Sequence, residues 1–420
     1  MVIPSLGSIK VLPRTKPFNR LLVFCFWAVL VVGIIAHAGV LFASESLIKE
    51  VALPEGLSSA QTIAIDQSGY IWFTEKIGKK LTRLDPEKKE FASFPLPASW
   101  GEVGFATFVL GQNDEIWFTV RRWAQNAQEQ YVLGKYTPSD GFFTKFNLSI
   151  DAVPEELLVD DAGVIWFVAS NKNRLYRVDP ENFSFKGYPI PTPNGFPRSL
   201  AVDAEGFIWF VEPSANKIGK FDPGKELFYE YDIPTPFANP GKIAIDRNGK
   251  VWFVQLNTNR IGAFYPDLER FDEALIPTRR SSPNAIAADA NGNIWFLEYR
   301  GNKVGVFLPE SALFKEYEIP TFSSLPGDMA IDHKRSMLWF TEGNTEAKRL
   351  GVLSIADALA QTGKEDSIAQ NASSRDSTPQ TASSGSAARW LLYFLILAVI
   401  AVLAIGRLKH LKGQREGEAE

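Results

Sequence analysis

Residues 199–236 read SLAVDAEGFIWFVEPSANKIGKFDPGKELFYEYDIPTP, and this stretch decides the fold. Short apolar or alternating runs are separated by turn signals at 203–206 (DAEG), 215–216 (AN) and 222–224 (DPG). Runs bounded by Gly, Pro, Asn and Asp are typical of β-strands joined by tight turns. The stretch therefore predicts four antiparallel strands, and Pro234 ends the last one because proline cannot continue a ladder.

The same unit recurs along the chain, and its clearest mark is the dipeptide Trp-Phe. Steps of 43 to 49 residues separate the seven copies, whose tryptophans are Trp72, Trp117, Trp166, Trp209, Trp252, Trp295 and Trp339. A repeat of about 40–45 residues is what a four-stranded β-propeller blade produces. The sequence therefore predicts an all-β, seven-bladed β-propeller over residues 47–356, with Trp-Phe packed between neighbouring sheets.

The last copy lacks its outer strand. It ends after a third strand at 350–353, with nothing strand-like following. A matching strand stands before the first copy, where 48–54 (IKEVALP) resembles 229–234 (YEYDIP). We therefore expect residues 47–53 to complete the last blade, so that no sheet edge is left open at the seam.

Residues 1–43 read as a targeting segment. Lys10, Arg14, Lys16 and Arg20 precede an apolar run over 21–43, and 36–38 (AHA) offers a cleavage site. The run is also long enough to span a bilayer if it is not cut. A signal peptide and an N-terminal membrane anchor both stay open. The single cysteine, Cys25, lies inside this run, which excludes a disulfide framework.

The C-terminal region predicts a membrane tether. Residues 390–406 (WLLYFLILAVIAVLAIG) carry no charge, and we expect a transmembrane helix over 389–406. Basic residues follow at once and favour a cytoplasmic tail over 407–420. The Ser/Thr-rich linker at 361–388 has no aromatic residue and is predicted to be disordered. The predicted location is the cytoplasmic membrane, with the propeller on the extracytoplasmic side.

The repeat has the form P-x-x-I-A-x-D-x-x-G-x-I-W-F-x-E-x-x-x-N-K-I-G followed by E-Y-x-I-P-T-P, as at 197–219, 240–262 and 283–305. This pattern resembles the virginiamycin B lyase (streptogramin lyase) family. The resemblance implies the propeller fold over about 47–356. It also implies Mg²⁺-dependent opening of a cyclic peptide lactone by elimination, with a histidine base in a Pro-His-Gly-Ile element that enters an inner strand.

That histidine is missing from this chain. The corresponding elements read AQTI at 60–63, PEEL at 154–157, PRSL at 197–200, PGKI at 240–243, PNAI at 283–286 and PGDM at 326–329. The one histidine of the propeller region, His333, stands in a turn predicted at the opposite end of an inner strand. The resemblance therefore covers the scaffold without the family's catalytic histidines, and Glu155 is the one candidate for a relocated base.

A candidate binding site follows from the propeller topology. Loops that enter inner strands and loops that follow second strands share one face, which we expect to form the channel mouth. The predicted mouth residues are Gln61, Glu155, Glu156, Arg198, Lys242, Asn284 and Asp328 from the first loops, and Glu75, Glu212, Gln255, Glu298 and Glu342 from the second. Convergent polar groups at a channel are a typical ligand site.

Two interpretations of these mouth residues stay open. Their carboxylates could hold Mg²⁺ or Ca²⁺ through oxygen ligands, although no metal or other cofactor is firmly predicted. Alternatively they form a solvated rim of mixed charge, in which the acids are balanced by Arg198, Lys242, Arg279, Arg280 and Arg300.

Three functional hypotheses fit the sequence. The first is a membrane-anchored extracytoplasmic propeller that acts as a binding or scaffold module for a small molecule, a protein or a glycan. The alternative is a lyase or lactonase-type enzyme with a metal at the mouth. A third is a sensor or envelope component whose tail meets a cytoplasmic partner. The net charge of −4 argues against a nucleic-acid partner. The fold cannot decide among the three.

Overall fold

The computed structural model describes residues 46–75, 77–122, 130–147, 152–360 and 367–368. Within them, seven antiparallel sheets each form one blade. The inner strand of each blade contacts the inner strand of the next, and the last contacts the first, so the sheets close a ring around a central channel. The predicted seven-bladed all-β propeller is confirmed.

Each blade begins with its inner strand at the channel, and its other strands follow outward. Blade 1 consists of β2 (Ala60–Ile65), β3 (Ile71–Glu75), β4 (Lys80–Asp85) and β5 (Glu90–Pro95). Blade 2 consists of β6 (Val103–Leu110), β7 (Ile116–Arg122), β8 (Gln130–Thr137) and β9 (Phe142–Asn147). Blade 3 consists of β10 (Pro154–Val159), β11 (Ile165–Ala169), β12 (Arg174–Val178) and β13 (Phe185–Pro189). Blade 4 consists of β14 (Leu200–Val202), β15 (Ile208–Glu212), β16 (Lys217–Asp222) and β17 (Leu227–Asp232). Blade 5 consists of β18 (Pro240–Ile245), β19 (Val251–Gln255), β20 (Arg260–Tyr265) and β21 (Arg270–Leu275).

Blade 6 consists of β22 (Pro283–Ala288), β23 (Ile294–Glu298), β24 (Lys303–Leu308) and β25 (Leu313–Glu318). Blade 7 consists of β26 (Pro326–Asp332), β27 (Met337–Glu342), β28 (Arg349–Ser354) and the N-terminal β1 (Ile48–Ala52). The pairing of β1 with β28 is antiparallel and sets Ile48 opposite Leu353. The expected closure of the last blade by the N-terminal strand is therefore confirmed.

The repeated Trp-Phe pair packs between neighbouring sheets, as predicted. Trp209 is fully buried and lies in one cluster with Phe253 and Phe264 of the next blade. Its indole N–H donates a hydrogen bond of 2.7 Å to Asp203 in the preceding turn. The same indole bond is made in blades 1, 3, 5 and 6, where its acceptors are respectively Asp66, Asp160, Asp246 and Asp289. The repeated aspartate thus fixes both a turn and the blade–blade contact.

Strand direction defines two faces of the ring. On the mouth face, inner strands begin and second strands end. On the opposite face, β1 begins and β28 ends, because Ile48 pairs with Leu353 near the end of β28. The helix α1 (Ile355–Ala360) follows β28 directly. Both described ends of the propeller therefore leave from the opposite face.

The predicted tethering segments fall almost wholly outside the described residues. These are the targeting segment at 1–43, the helix at 389–406 and the tail at 407–420. Ser367–Ile368, within the predicted disordered linker, forms a short strand β29 that pairs with the outer strand of blade 6. No helix in the described part of the chain has the length and apolarity needed to cross a membrane.

Candidate functional site

Both predicted sets of mouth residues lie on one face of the ring, at different distances from the channel. The register pairs Pro240, at the start of an inner strand, with Gln255 at the end of the second strand. The same pairing joins Pro283 to Glu298 and Pro326 to Glu342. The first set follows the channel wall, and the second set lies one strand further out.

Three ionisable side chains from alternate blades converge in the channel. Lys242 of blade 5 donates a hydrogen bond of 2.6 Å from Nζ to Oε1 of Glu156 in blade 3. Asp328 of blade 7 lines the same cavity. We call these three residues the channel cluster. The three residues occupy equivalent positions of their inner strands. In each blade, the next residue along the inner strand is apolar and pairs with the phenylalanine of the Trp-Phe dipeptide in the second strand.

Backbone groups hold the two carboxylates of the channel cluster. Asp328 accepts a hydrogen bond of 3.2 Å from the backbone N–H of Ile63 in blade 1. Glu156 Oε2 accepts one of 3.3 Å from the N–H of Leu200 in blade 4. Each carboxylate therefore links its inner strand to that of the next blade. Glu156 does so while its other oxygen binds Lys242 from across the channel.

Burial and mutual attraction set the protonation of the channel cluster. Burial disfavours the charged ammonium of Lys242, but the carboxylates of Glu156 and Asp328 outweigh this and raise its pKa. Burial also raises the pKa of Asp328, and the nearby ammonium of Lys242 only partly offsets the rise. The side chains of Lys242 and Glu156 keep 36% and 22% of their surface open because they project into the channel. A firmly charged ammonium therefore faces the cavity.

The rest of the cavity lining is apolar. It has a volume of about 410 Å³, and besides the channel cluster only apolar residues of the described inner strands line it. Ile63, Leu157, Leu200, Ile243 and Met329 are among them. A small cavity with apolar walls and a few placed polar groups suits an organic small molecule.

The other residues of the first set surround this cavity without entering the channel cluster. Gln61 donates to the carbonyl of Ala106, and Asn284 donates to the carbonyls of Pro326 and Gly327, so both link neighbouring inner strands. Arg198 is exposed on the mouth face. Glu155 accepts a hydrogen bond from the hydroxyl of Ser170 in the loop after β11. None of these four side chains lines the cavity.

The second set is buried inside the blades and does not line the channel. Glu212, Glu298 and Glu342 are wholly buried, and each lies near an outer-strand glutamate, respectively Glu230, Glu316 and Glu50. Glu75 is also buried and accepts a hydrogen bond of 3.0 Å from the backbone of Ser58. Gln255 is buried in the same way in blade 5. These residues organise the blade interiors beneath the mouth loops.

The channel cluster does not fit a divalent cation. A metal ion placed between Glu156 and Asp328 would meet the ammonium group of Lys242, which already binds Glu156. Across the ranges that the structure describes, no group of three or more His, Cys, Asp or Glu side chains comes together as a metal site would require. The channel cluster is therefore better suited to an organic ligand than to a metal ion.

The sequence comparison agrees with the fold and the repeat. The model of the virginiamycin B lyase family matches residues 46–352, which is most of the chain and all seven blades. The chain belongs to the virginiamycin B lyase family. No curated protein shows significant similarity to it.

Solved family structures share this architecture. A catalytically inactive variant of virginiamycin B lyase from Staphylococcus aureus, solved with quinupristin, is 24% identical with a TM-score of 0.64. The match covers 73% of this chain and 98% of that one. A second structure, described as a streptogramin B lyase, is 25% identical with a TM-score of 0.63, covering 73% and 96% of the two chains. These neighbours support the fold and leave the chemistry of this chain to its own residues.

Two features of the mouth face were not predicted from the sequence. One is the set of outer-strand glutamates beside the buried second-strand acids, which the E-Y-x-I-P-T-P pattern contains at Glu230 and Glu316. The other is a set of exposed phenylalanines in the loops between blades, among them Phe237 and Phe322. The available signal was an aromatic residue within two positions of the Ile-Pro-Thr element that ends an outer strand.

Proposed function

We propose that this protein is a membrane-anchored, extracytoplasmic member of the virginiamycin B lyase family that binds a small molecule in its channel. The observation that carries the proposal is the channel cluster. Burying ionisable groups in an apolar environment costs free energy that aliphatic side chains would avoid. The four other blades hold Thr62, Thr107, Ser199 and Ala285 at the equivalent position, so the fold itself does not demand charges there.

The chemistry of the cavity indicates the class of ligand. Glu156 is the only hydrogen-bond partner of the Lys242 ammonium within the described ranges, and an ammonium has three N–H donors. The remaining donors are available for a carbonyl or carboxylate oxygen. The apolar walls suit an apolar body beside that oxygen. We therefore propose a small, largely apolar molecule that carries one such acceptor.

Anchoring and sidedness rest on the sequence together with the geometry of the chain ends. Residues 390–406 are apolar and are followed by Arg407, Lys409 and Lys412. Both described ends of the propeller leave from the face opposite the mouth. In this proposal both tethers would attach to that face, and the mouth face would be free of them.

An enzymatic role is the second candidate, and one contact favours it. Membership of the family makes lactone opening a candidate activity. The contact is the hydrogen bond that the hydroxyl of Ser170 donates to Glu155 on the mouth face. This pair occupies the place at which the family resemblance puts the histidine base. A carboxylate is a far weaker base than histidine unless its surroundings raise its pKa. We therefore propose binding as the main function.

A ligand screen on the full chain in detergent tests the proposal. The probes are small aliphatic and aryl carboxylates and lactones, and the readout is the melting temperature. The matched variant is Glu156→Gln/Lys242→Met, which removes both charges together, because removing one partner alone leaves an unpaired buried charge. Compounds that raise the melting temperature of the wild type should lose this effect in the double variant. Equal shifts in both proteins would show that these compounds bind elsewhere and would refute the channel site.

A further inference from the structure

The mouth loops of blades 4 to 6 carry arginines and no acidic residue. Arg198, Arg279, Arg280 and Arg300 lie in the loops of blades 4 to 6 and are exposed. The mouth loops of these blades, at 191–199, 213–216, 234–241, 256–259, 277–284 and 299–302, contain no Asp or Glu. None of the four guanidinium groups is ion-paired with a residue that the structure describes. We call these four residues the arginine rim.

The arginine rim is a local departure from the character of the chain, whose net charge is −4. The four cations of the rim, none of which is ion-paired with a described residue, are all arginines and not lysines. The planar guanidinium forms paired hydrogen bonds with a carboxylate and is weakly hydrated, so arginine suits contacts that exclude water. The rim is therefore complementary to carboxylates rather than to a neutral ligand.

Exposed aromatic side chains accompany the rim. Phe237 and Phe322 are 84% and 92% exposed in interblade loops, and Phe196 is 48% exposed in another loop of the same kind. At 84% and 92% exposure, Phe237 and Phe322 gain almost nothing from packing within the propeller, whereas Phe196 is half-buried. Phenylalanines and arginines exposed in loops of one face have the composition of a protein-binding surface.

The backbone at Phe237 strengthens this interpretation. Phe237 has a φ of 57°, in the left-handed region that bulky side chains disfavour. The loop repeats this conformation at the equivalent position of neighbouring blades, in Asn194 at 57°, Arg280 at 55° and Ser323 at 53°, and of the four residues asparagine tolerates it best. Neither backbone preference nor packing accounts for a phenylalanine at this site. Unfavourable backbone choices that persist without internal benefit are typical of functional positions.

We propose that the arginine rim and its phenylalanines dock an acidic, aromatic-containing segment of another protein. Charge complementarity argues for the carboxylates, and the exposed rings argue for aromatic or apolar side chains between them. A lipid surface is disfavoured because both described chain ends leave from the opposite face. The proposal does not depend on the channel ligand, since no rim residue lines the cavity.

Binding of two labelled peptides to the full chain in detergent tests this surface. The probes are a poly-glutamate peptide and a Glu/Tyr copolymer of equal length, followed by fluorescence anisotropy at low and high salt. The rim variant is Arg279→Glu/Arg280→Glu. Its matched control, Lys89→Glu/Arg247→Glu, reverses two exposed cations in turns of the opposite face and changes the net charge equally.

We expect the wild type to bind the Glu/Tyr copolymer more tightly than poly-glutamate. The rim variant should lose at least about tenfold in affinity, while the control stays within about twofold. Equal losses in both variants, or no binding of either peptide by the wild type, would overturn the proposal. Binding of an anionic polysaccharide or of DNA with neither peptide bound would also overturn it.

Phe237→Asn separates docking from stability. Because asparagine suits the left-handed backbone, the melting temperature should hold or rise slightly. Affinity for the Glu/Tyr copolymer should fall by about three- to tenfold, with little change for poly-glutamate. Unchanged affinity for the copolymer would remove the aromatic part of the proposed surface. Because the channel cluster is intact in every rim variant, the small-molecule thermal shifts should persist in all of them.

Discussion

The side-chain amide of Gln255 donates a hydrogen bond to the carboxylate of Glu273 inside blade 5. Blades 4, 6 and 7 carry Glu212, Glu298 and Glu342 in place of that glutamine, each near an outer-strand glutamate. An ionised carboxylate can only accept hydrogen bonds, so two of them repel unless one holds a proton. A protonated glutamate would donate a hydrogen bond to its neighbour, as the Gln255 amide does in blade 5.

The first prediction is that stability falls as the pH rises. Burial, and then the charge of Glu230 or Glu316, raises the pKa of Glu212 and of Glu298 from 4.5 to about 8. Burial and Glu50 raise that of Glu342 to about 7. Between the unfolded and folded values the folded state binds more protons, so the stabilisation is complete below about pH 4.5 and is lost as the pH passes 7 to 8. Melting temperatures at pH 5, 7 and 9 should decline in that order.

Glutamine variants supply the control for this prediction. Glu212→Gln/Glu298→Gln/Glu342→Gln imitates the protonated state, so its melting temperature should change much less between pH 5 and 9. At pH 9 the unfolding free energy of this variant should exceed that of the wild type by an amount on the order of a few kcal/mol per site. Gln255→Glu should add pH dependence. A wild type that melts at the same temperature at pH 5 and 9 would contradict the protonated pairs.

A second prediction concerns the bond between Asp203 and the indole of Trp209. Asp203 also accepts a hydrogen bond of 2.8 Å from the backbone of Phe207, so its loss frees two donors at a blade–blade contact. Asp203→Ala should lower the unfolding free energy by about 1.5–3 kcal/mol, measured by urea denaturation. Asp267→Ala, in an exposed turn of the same face, should stay within about 0.5 kcal/mol. Equal effects of the two substitutions would remove the special role of the indole bond.

The fold could be predicted from the sequence because its causes are local and repeated. The Trp-Phe period, the turn aspartates and the extra strand before the first copy are all legible along the chain. The channel cluster was only partly predictable. Glu156 and Lys242 stand 86 residues apart, and their contact depends on how seven blades close around one axis. Position on the mouth face could be predicted from topology, whereas the distance of each side chain from the channel could not.

The buried second-strand glutamates illustrate the same limit. Glu212 and Glu298 follow Trp at a fixed spacing, which predicts the face but not the burial. They are buried because the interblade loops close over the blade ends. In blades 4 and 6, Gly195 and Gly301 leave no room for a Cβ atom beside the carboxylates. Such contacts join separate loops and leave no periodic signal in the sequence.

The third prediction tests ring closure with two neighbouring residues of β1. Ile48 is 2% exposed in the core between blades 6 and 7, whereas the next residue, Lys49, is exposed. Ile48→Ala should lower the unfolding free energy by about 2–4 kcal/mol. Lys49→Ala should change it by less than about 0.5 kcal/mol. Equal stability of the two variants in urea titrations would mean that β1 does not seal the last blade.

The fourth prediction concerns the side of the membrane on which the mouth face lies. With the propeller outside and the tail inside, Phe322→Cys should react with a membrane-impermeant maleimide on intact cells, since this position is 92% exposed. Glu420→Cys should react only after lysis. Background from the native Cys25 is removed with Cys25→Ser in both variants. Labelling of Glu420→Cys but not Phe322→Cys on intact cells would reverse the topology.

The last prediction is that the protein lacks streptogramin-opening activity of ordinary family strength. The elimination needs a base beside the substrate, and such a group typically contributes about 10²–10⁴-fold. At the position where the family resemblance places it, Arg198 has a guanidinium group with no hydrogen-bond acceptor, and the amide of Asn284 lacks useful basicity. Gly241 and Gly327 have no side chain there. Only Glu155, bound by Ser170, retains a group that could accept a proton.

Incubating the full chain with Mg²⁺ and a type B streptogramin, and following ring opening by mass, tests this prediction. We expect no turnover above the rate without protein. The matched variants are Glu155→Gln, which removes the remaining carboxylate, and Ser170→Ala, which removes its hydrogen-bond donor. Turnover in the wild type that disappears in Glu155→Gln would show that this chain is an enzyme with a relocated base, and binding would then be only one step of its function. Turnover that persists in Glu155→Gln would place the base elsewhere, with the carboxylates of the channel cluster the next to be replaced.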